Sequence, residues 1–84
     1  MSIIIPEIDL HLTPKDCTHD ILTDFIETAV NNGADTIRII HGKGNSSKKL
    51  EVYKILEQNR SVYGYDDDGS NWGATVVHLE AKEK

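Results

Sequence analysis

The sequence predicts an α/β fold, a two-layer sandwich in which a four-stranded mixed sheet carries two helices on one face, in the order β-α-β-α-β-β. Three observations carry this. Short runs rich in β-branched residues, TIRIIH over 36–41 and ATVVHLE over 74–80, mark strands. Before the first and between the two lie longer runs whose apolar residues recur at helical spacing. The chain has only 84 residues, enough for one small core and too few for two, so a single domain over 1–84 is expected. Its core is expected at about 7–80, because the charged end AKEK reads as a frayed terminus.

Each element has its own signal. Residues 3–11 read as a strand broken at its start by Pro6, with Ile8 and Leu10 on one face and Glu7, Asp9 and His11 on the other. Thr13 and Pro14 form a helix start, the hydroxyl capping free amides and the proline supplying a fixed φ. Cys17, Ile21, Leu22, Phe25, Ile26, Ala29 and Val30 then form an apolar stripe, and Gly33 ends the run in the left-handed conformation. After the 36–41 strand comes the glycine loop GKGNSS. A second helix starts near Ser46 or Ser47 and runs to about Gln58, burying Val52, Ile55 and Leu56 with Tyr53 at its flank. SVYGY is read as the third strand, DDDGSNWG as a loop and ATVVHLE as the last strand.

Composition narrows the function. No apolar run approaches the ~20 residues that span a bilayer, and MSIIIPEI has no basic residue before its isoleucines, so neither a signal peptide nor an anchor is read. A cytoplasmic monomer is the expectation. The lone Cys17 rules out an internal disulfide and a multi-cysteine zinc site, and is read as a small buried apolar side chain. A net charge of -5 argues against a broadly basic surface, so any contact with nucleic acid has to rest on a local patch.

A local patch is available at one edge of the predicted sheet. The crossover β-α-β connection makes the first two strands neighbours, and their C-terminal ends carry Asp9 and His11 on one side, His41, Gly42, Lys43 and Gly44 on the other. Two imidazoles near neutrality can take and give a proton. Asp9 can orient His11 or help hold a divalent ion such as Mg²⁺, and whether a metal is needed stays open. The glycine turn with Lys43 suits a phosphate. Lys48, Lys49 and Lys54, with Lys43 and Arg60, read either as a cationic counter-patch or as a solvated face.

Other polar groups are read as structural. Asp66, Asp67 and Asp68 are taken as a solvated turn, since the ligand pattern of an EF-hand is missing. Trp72 is taken as partial core cover, and His19 and His78 as surface residues outside the site.

IDLH at 8–11, HGKG at 41–44 and GATVVHL at 73–79 resemble, in order and spacing, the signature segments of the Smr (small MutS-related) domain family. The resemblance implies a fold similar to the C-terminal domain of translation initiation factor three. It also implies nucleic-acid cleavage, either nicking of DNA in repair and recombination or cutting of messenger RNA on stalled ribosomes. RNA or branched DNA, and the ribosome, are then the expected partners. Asp9, His11 and His41 would be catalytic, with Gly42, Lys43, Gly44, Lys48 and Lys49 holding the phosphate backbone. A non-catalytic nucleic-acid or ribosome-binding module is the alternative. Two features depart from the family pattern: Leu12 and Thr13 follow His11 where a glycine is common, and Lys48 stands where relatives usually carry an apolar residue.

Overall fold

Strand parity decides which side chains the helices cover. In the computed structural model, residues 5–42, 46–68 and 71–80 are described, with the backbone alone at 46, 71 and 72. The elements are β1 (Glu7–Asp9), α1 (Lys15–Asn31), β2 (Thr36–Ile40), α2 (Ser46–Glu57), β3 (Val62–Asp68) and β4 (Asn71–Leu79). They build a four-stranded sheet in the order β1-β2-β4-β3. β1 runs parallel to β2, and the other two pairings are antiparallel. The predicted element order is the observed one.

Ile37 and Ile39 of β2 lie beside Val77 and Thr75 of β4, and all four are buried. Their alternate neighbours Thr36, Arg38, Ile40, Val76 and His78 are only partly covered. The buried side meets Leu22, Ile26, Ala29 and Val30 of α1 and Val52, Ile55 and Leu56 of α2, all in one core with Leu10. Burying each large aliphatic side chain is worth about 1.5–3 kcal/mol. On the other face Arg38 holds Glu7 of β1 at 3.5 Å and Asp68 of β3 at 2.8 Å, tying the outer strands to the centre.

Four sequence readings are corrected. Cys17 is exposed, and its neighbour Thr18 turns inward instead. Thr13 does not cap α1: Pro14 occupies the N-cap position, and no side chain caps the first turn. The first strand is shorter than 3–11, since pairing covers Glu7–Asp9 and residues 3 and 4 lie outside the described residues. The predicted loop over 66–73 is mostly strand, because β3 continues through Asp68 and β4 already begins at Asn71. Aspartates are poor strand formers. Here their carboxylates have partners, Asp66 facing His78 at 3.5 Å and Asp68 the Arg38 guanidinium, which offsets that preference. The end of α1 follows the expectation, with Gly33 at φ 83° donating its amide to the Val30 carbonyl at 3.0 Å. Among the described residues, no helix is long and apolar enough to cross a membrane.

Candidate functional site at the rim of the sheet

The parallel pairing of β1 with β2 sets Asp9 opposite Ile40, so both strands end at one rim. There the Leu10 amide donates to the Ile40 carbonyl at 2.7 Å, and the Thr13 amide closes a turn onto the Leu10 carbonyl at 3.0 Å. His11 projects from that turn. Its Nδ1 lies 2.5 Å from Asp9 Oδ1, and its backbone amide donates to the same oxygen at 3.1 Å. These two bonds to His11 hold the Asp9 carboxyl below its ordinary pKa, so it is ionised at neutral pH and fixes the proton on Nδ1. Nε2 is then the nitrogen left to act. Both side chains remain accessible, His11 at 44% and Asp9 at 51%.

His41 occupies a different environment at the same rim. It continues the buried parity of Ile37 and Ile39 and is 1% exposed. Its Nε2 lies 2.9 Å from Thr75 Oγ1 on the buried face of β4, while Nδ1 has no hydrogen-bond partner. Burial pushes its pKa down and favours the neutral ring; the Gly42 backbone opposes this without reaching hydrogen-bonding geometry. The amides of His41 and Gly42 both donate to the Gly73 carbonyl at 3.0 Å. They are therefore committed within the protein. Gly42 has φ 97°, a conformation that glycine adopts without the strain a Cβ would bring. The predicted phosphate binders Lys43 and Gly44 lie outside the described residues.

Neither of the two predicted helix lysines stands as a free surface cation. Lys48 is 8% exposed, and its Nζ donates to the Thr13 carbonyl at 2.6 Å and to Thr18 Oγ1 at 2.9 Å. It acts as a strap from α2 to the turn that carries His11. The two departures from the family pattern thus meet: the glycine-free turn is the one that Lys48 grips. Lys49 pairs with Asp67 at 3.3 Å and lies 5.6 Å from the centre of the Tyr53 ring. Asp67 also accepts the Tyr53 hydroxyl at 2.6 Å, and these two partners, Tyr53 foremost, hold its carboxyl below the ordinary range.

Thr75 and Thr18 were not singled out from the sequence, and Tyr53 is read there only as the flank of the second helix. A signal for Thr75 existed: in ATVVHLE it shares parity with Val77 and Leu79, as His41 does with Ile37 and Ile39 in TIRIIH. Thr18 had one as well: it lies four residues before Leu22 and eight before Ile26, on the stripe that α1 buries. Among the described residues, no group of three or more His, Cys, Asp or Glu is placed to hold a metal ion. A magnesium ion bound mainly through substrate phosphates would need few protein ligands, and Asp9 is the carboxylate at hand.

The family model for the Smr domain matches residues 8–80. An endonuclease MutS2 of Maridesulfovibrio salexigens is 33% identical over 76 residues, which cover 87% of this chain and 10% of that protein. An endonuclease MutS2 of Aquifex aeolicus is 36% identical over 67 residues, covering 75% of this chain and 9% of that protein. The chain therefore spans about a tenth of the length of these relatives. The crystal structure of the Smr domain of Thermus thermophilus MutS2 superposes with a TM-score of 0.84 at 25% identity, covering 90% of this chain and 99% of that one. YdaL, a stand-alone small MutS-related protein from Escherichia coli, gives a TM-score of 0.84 at 25% identity over 90% of this chain and 64% of its own.

Proposed function

We propose, from the premise that this chain belongs to the Smr domain family, that it cuts phosphodiester bonds in nucleic acid, with Asp9 and His11 as the proton-transfer pair. The observation that carries the reading is the 2.5 Å contact between an ionised carboxylate and an accessible imidazole at a strand end. Asp9 keeps the proton on Nδ1, so Nε2 can take a proton from an RNA 2′-hydroxyl or a water whose oxygen attacks phosphorus; the P–O bond to the leaving oxygen breaks, and that oxygen takes its proton from protonated His11 or from solvent. His41, held neutral by burial, supports the turn at Gly42. Lys43 and Gly44 hold the phosphate. The names of the MutS2 relatives favour an endonuclease; a role in DNA repair or recombination, or in cutting messenger RNA at the ribosome, is what the resemblance of the signature segments implies.

Incubating the protein with single-stranded, duplex and branched DNA and RNA, with and without EDTA, tests this and separates metal-assisted from metal-free cutting. His11→Ala should abolish product while substrate binding persists. Equal cutting by the variant and the wild type would sink the reading. A second reading, binding to nucleic acid or the ribosome without cleavage, is favoured by one observation: the second imidazole of the rim is buried rather than open to substrate. It expects salt-sensitive binding and no product from any substrate.

A further inference from the structure

A cleft on the helix layer is lined by Lys15, Ser47, Lys48, Leu50, Glu51 and Lys54, with a volume of about 560 Å³. Lys15 is the first residue of α1, just after the His11 turn, and Ser47 lies in the first turn of α2, which follows the Gly42 end of β2. The cleft therefore adjoins the rim on the side of the His11 turn, where α1 begins.

Its charge is distinctive in a chain whose net charge is -5. Arg38, Lys48 and Lys49 each face a carboxylate, at 2.8, 3.8 and 3.3 Å. Among the described residues, Lys15, Lys54 and Arg60 face none, and two of these three line the cleft. Glu51, its single acid, is shared with the Lys48 ammonium. Leu50, which also lines the cleft, is 67% exposed and adds an apolar surface to a lining that carries three lysines.

We infer that this cleft binds a single strand of nucleic acid as it leaves the rim, with Lys15 and Lys54 on successive phosphates and Leu50 against an unstacked base. Unpaired ammonium groups supply the sequence-independent attraction of a phosphate backbone, and an exposed aliphatic side chain can pack against a base face. The inference rests on the reading of the rim as a nucleic-acid site.

The test is binding of fluorescently labelled single-stranded DNA and RNA oligonucleotides to the full chain across a salt series, with poly-glutamate as a competing polyanion. Lys15→Ala with Lys54→Ala should weaken binding about tenfold and lower the slope of log affinity against log salt by roughly 1.4, about 0.7 for each lost phosphate contact. Lys15→Arg with Lys54→Arg should restore both. An unchanged slope in the double alanine variant, with the wild type still binding, overturns the cleft alone. Competition by poly-glutamate equal to that by unlabelled oligonucleotide overturns it in favour of an acidic peptide partner. Failure of the wild type to bind any oligonucleotide overturns the rim reading and the cleft together.

Discussion

His11 and His41 follow the ends of neighbouring strands at one rim, yet the fold gives them opposite chemistry. The first sits in a surface turn, bonded to an ionised carboxylate and open to solvent. The second is sealed under the helix layer against a threonine hydroxyl, and burial holds its pKa down. The difference teaches that proximity along a rim does not make two imidazoles equivalent. A residue one position further along a strand crosses from one face of the sheet to the other, and with it from solvent to core.

Paired substitutions should break this contrast most forcefully. His11→Ala should lower cutting by about a hundredfold or more while moving stability by no more than about 0.5 kcal/mol. His41→Ala should cost about 2–4 kcal/mol, since it opens a cavity and leaves the Thr75 hydroxyl without its partner. Urea melts beside cutting assays would show it; similar stability losses for both variants would erase the distinction.

Lys48 comes next in size. Lys48→Ala removes the donor to the Thr13 carbonyl and to Thr18 Oγ1, at a cost of about 1–3 kcal/mol. It should also loosen the turn that aims His11, so broadening of the His11 ring resonances in NMR is the accompanying sign. Sharp, unmoved resonances would reduce Lys48 to a packing role.

The pH dependence is smaller. Below the ordinary histidine value of 6.5 the unfolded chain takes up a proton at position 41 that the buried ring resists. The stability conferred by the neutral ring is therefore present above that value and lost as pH falls below it. Thermal melts between pH 5 and 7.5 should show a decline toward acid that His41→Asn flattens. The smallest effect belongs to Cys17. Because the thiol is exposed, it should react with a thiol reagent in the native state, and Cys17→Ser should shift stability by less than about 0.5 kcal/mol.

Much of this fold was legible in the chain. The spacing of Leu22, Ile26, Ala29 and Val30 specified the buried face of α1, Gly33 its end, and the β-branched run at 36–41 the central strand, which ends at Ile40. The rim was legible as well, since a crossover between parallel strands brings their C-terminal ends to one edge. Position 17 misled because it shares helical spacing with Ile21, which is 41% exposed, at the edge of the stripe that buries Thr18, Leu22 and Ile26. Asp66–Asp68 misled because strand pairing and the Arg38, Tyr53 and Lys49 partners outweigh a local preference that sequence alone reports.

Sequence by itself determined the order of elements and the segments that follow the first two strands, because backbone periodicity and glycine or proline punctuation are local properties. Tertiary structure alone decided that Lys48 turns inward, that Lys49 is neutralised by Asp67 and that one imidazole is wet while the other is dry. Each of those outcomes depends on groups distant in the chain, and a side chain's charge and accessibility are set by what packs against it.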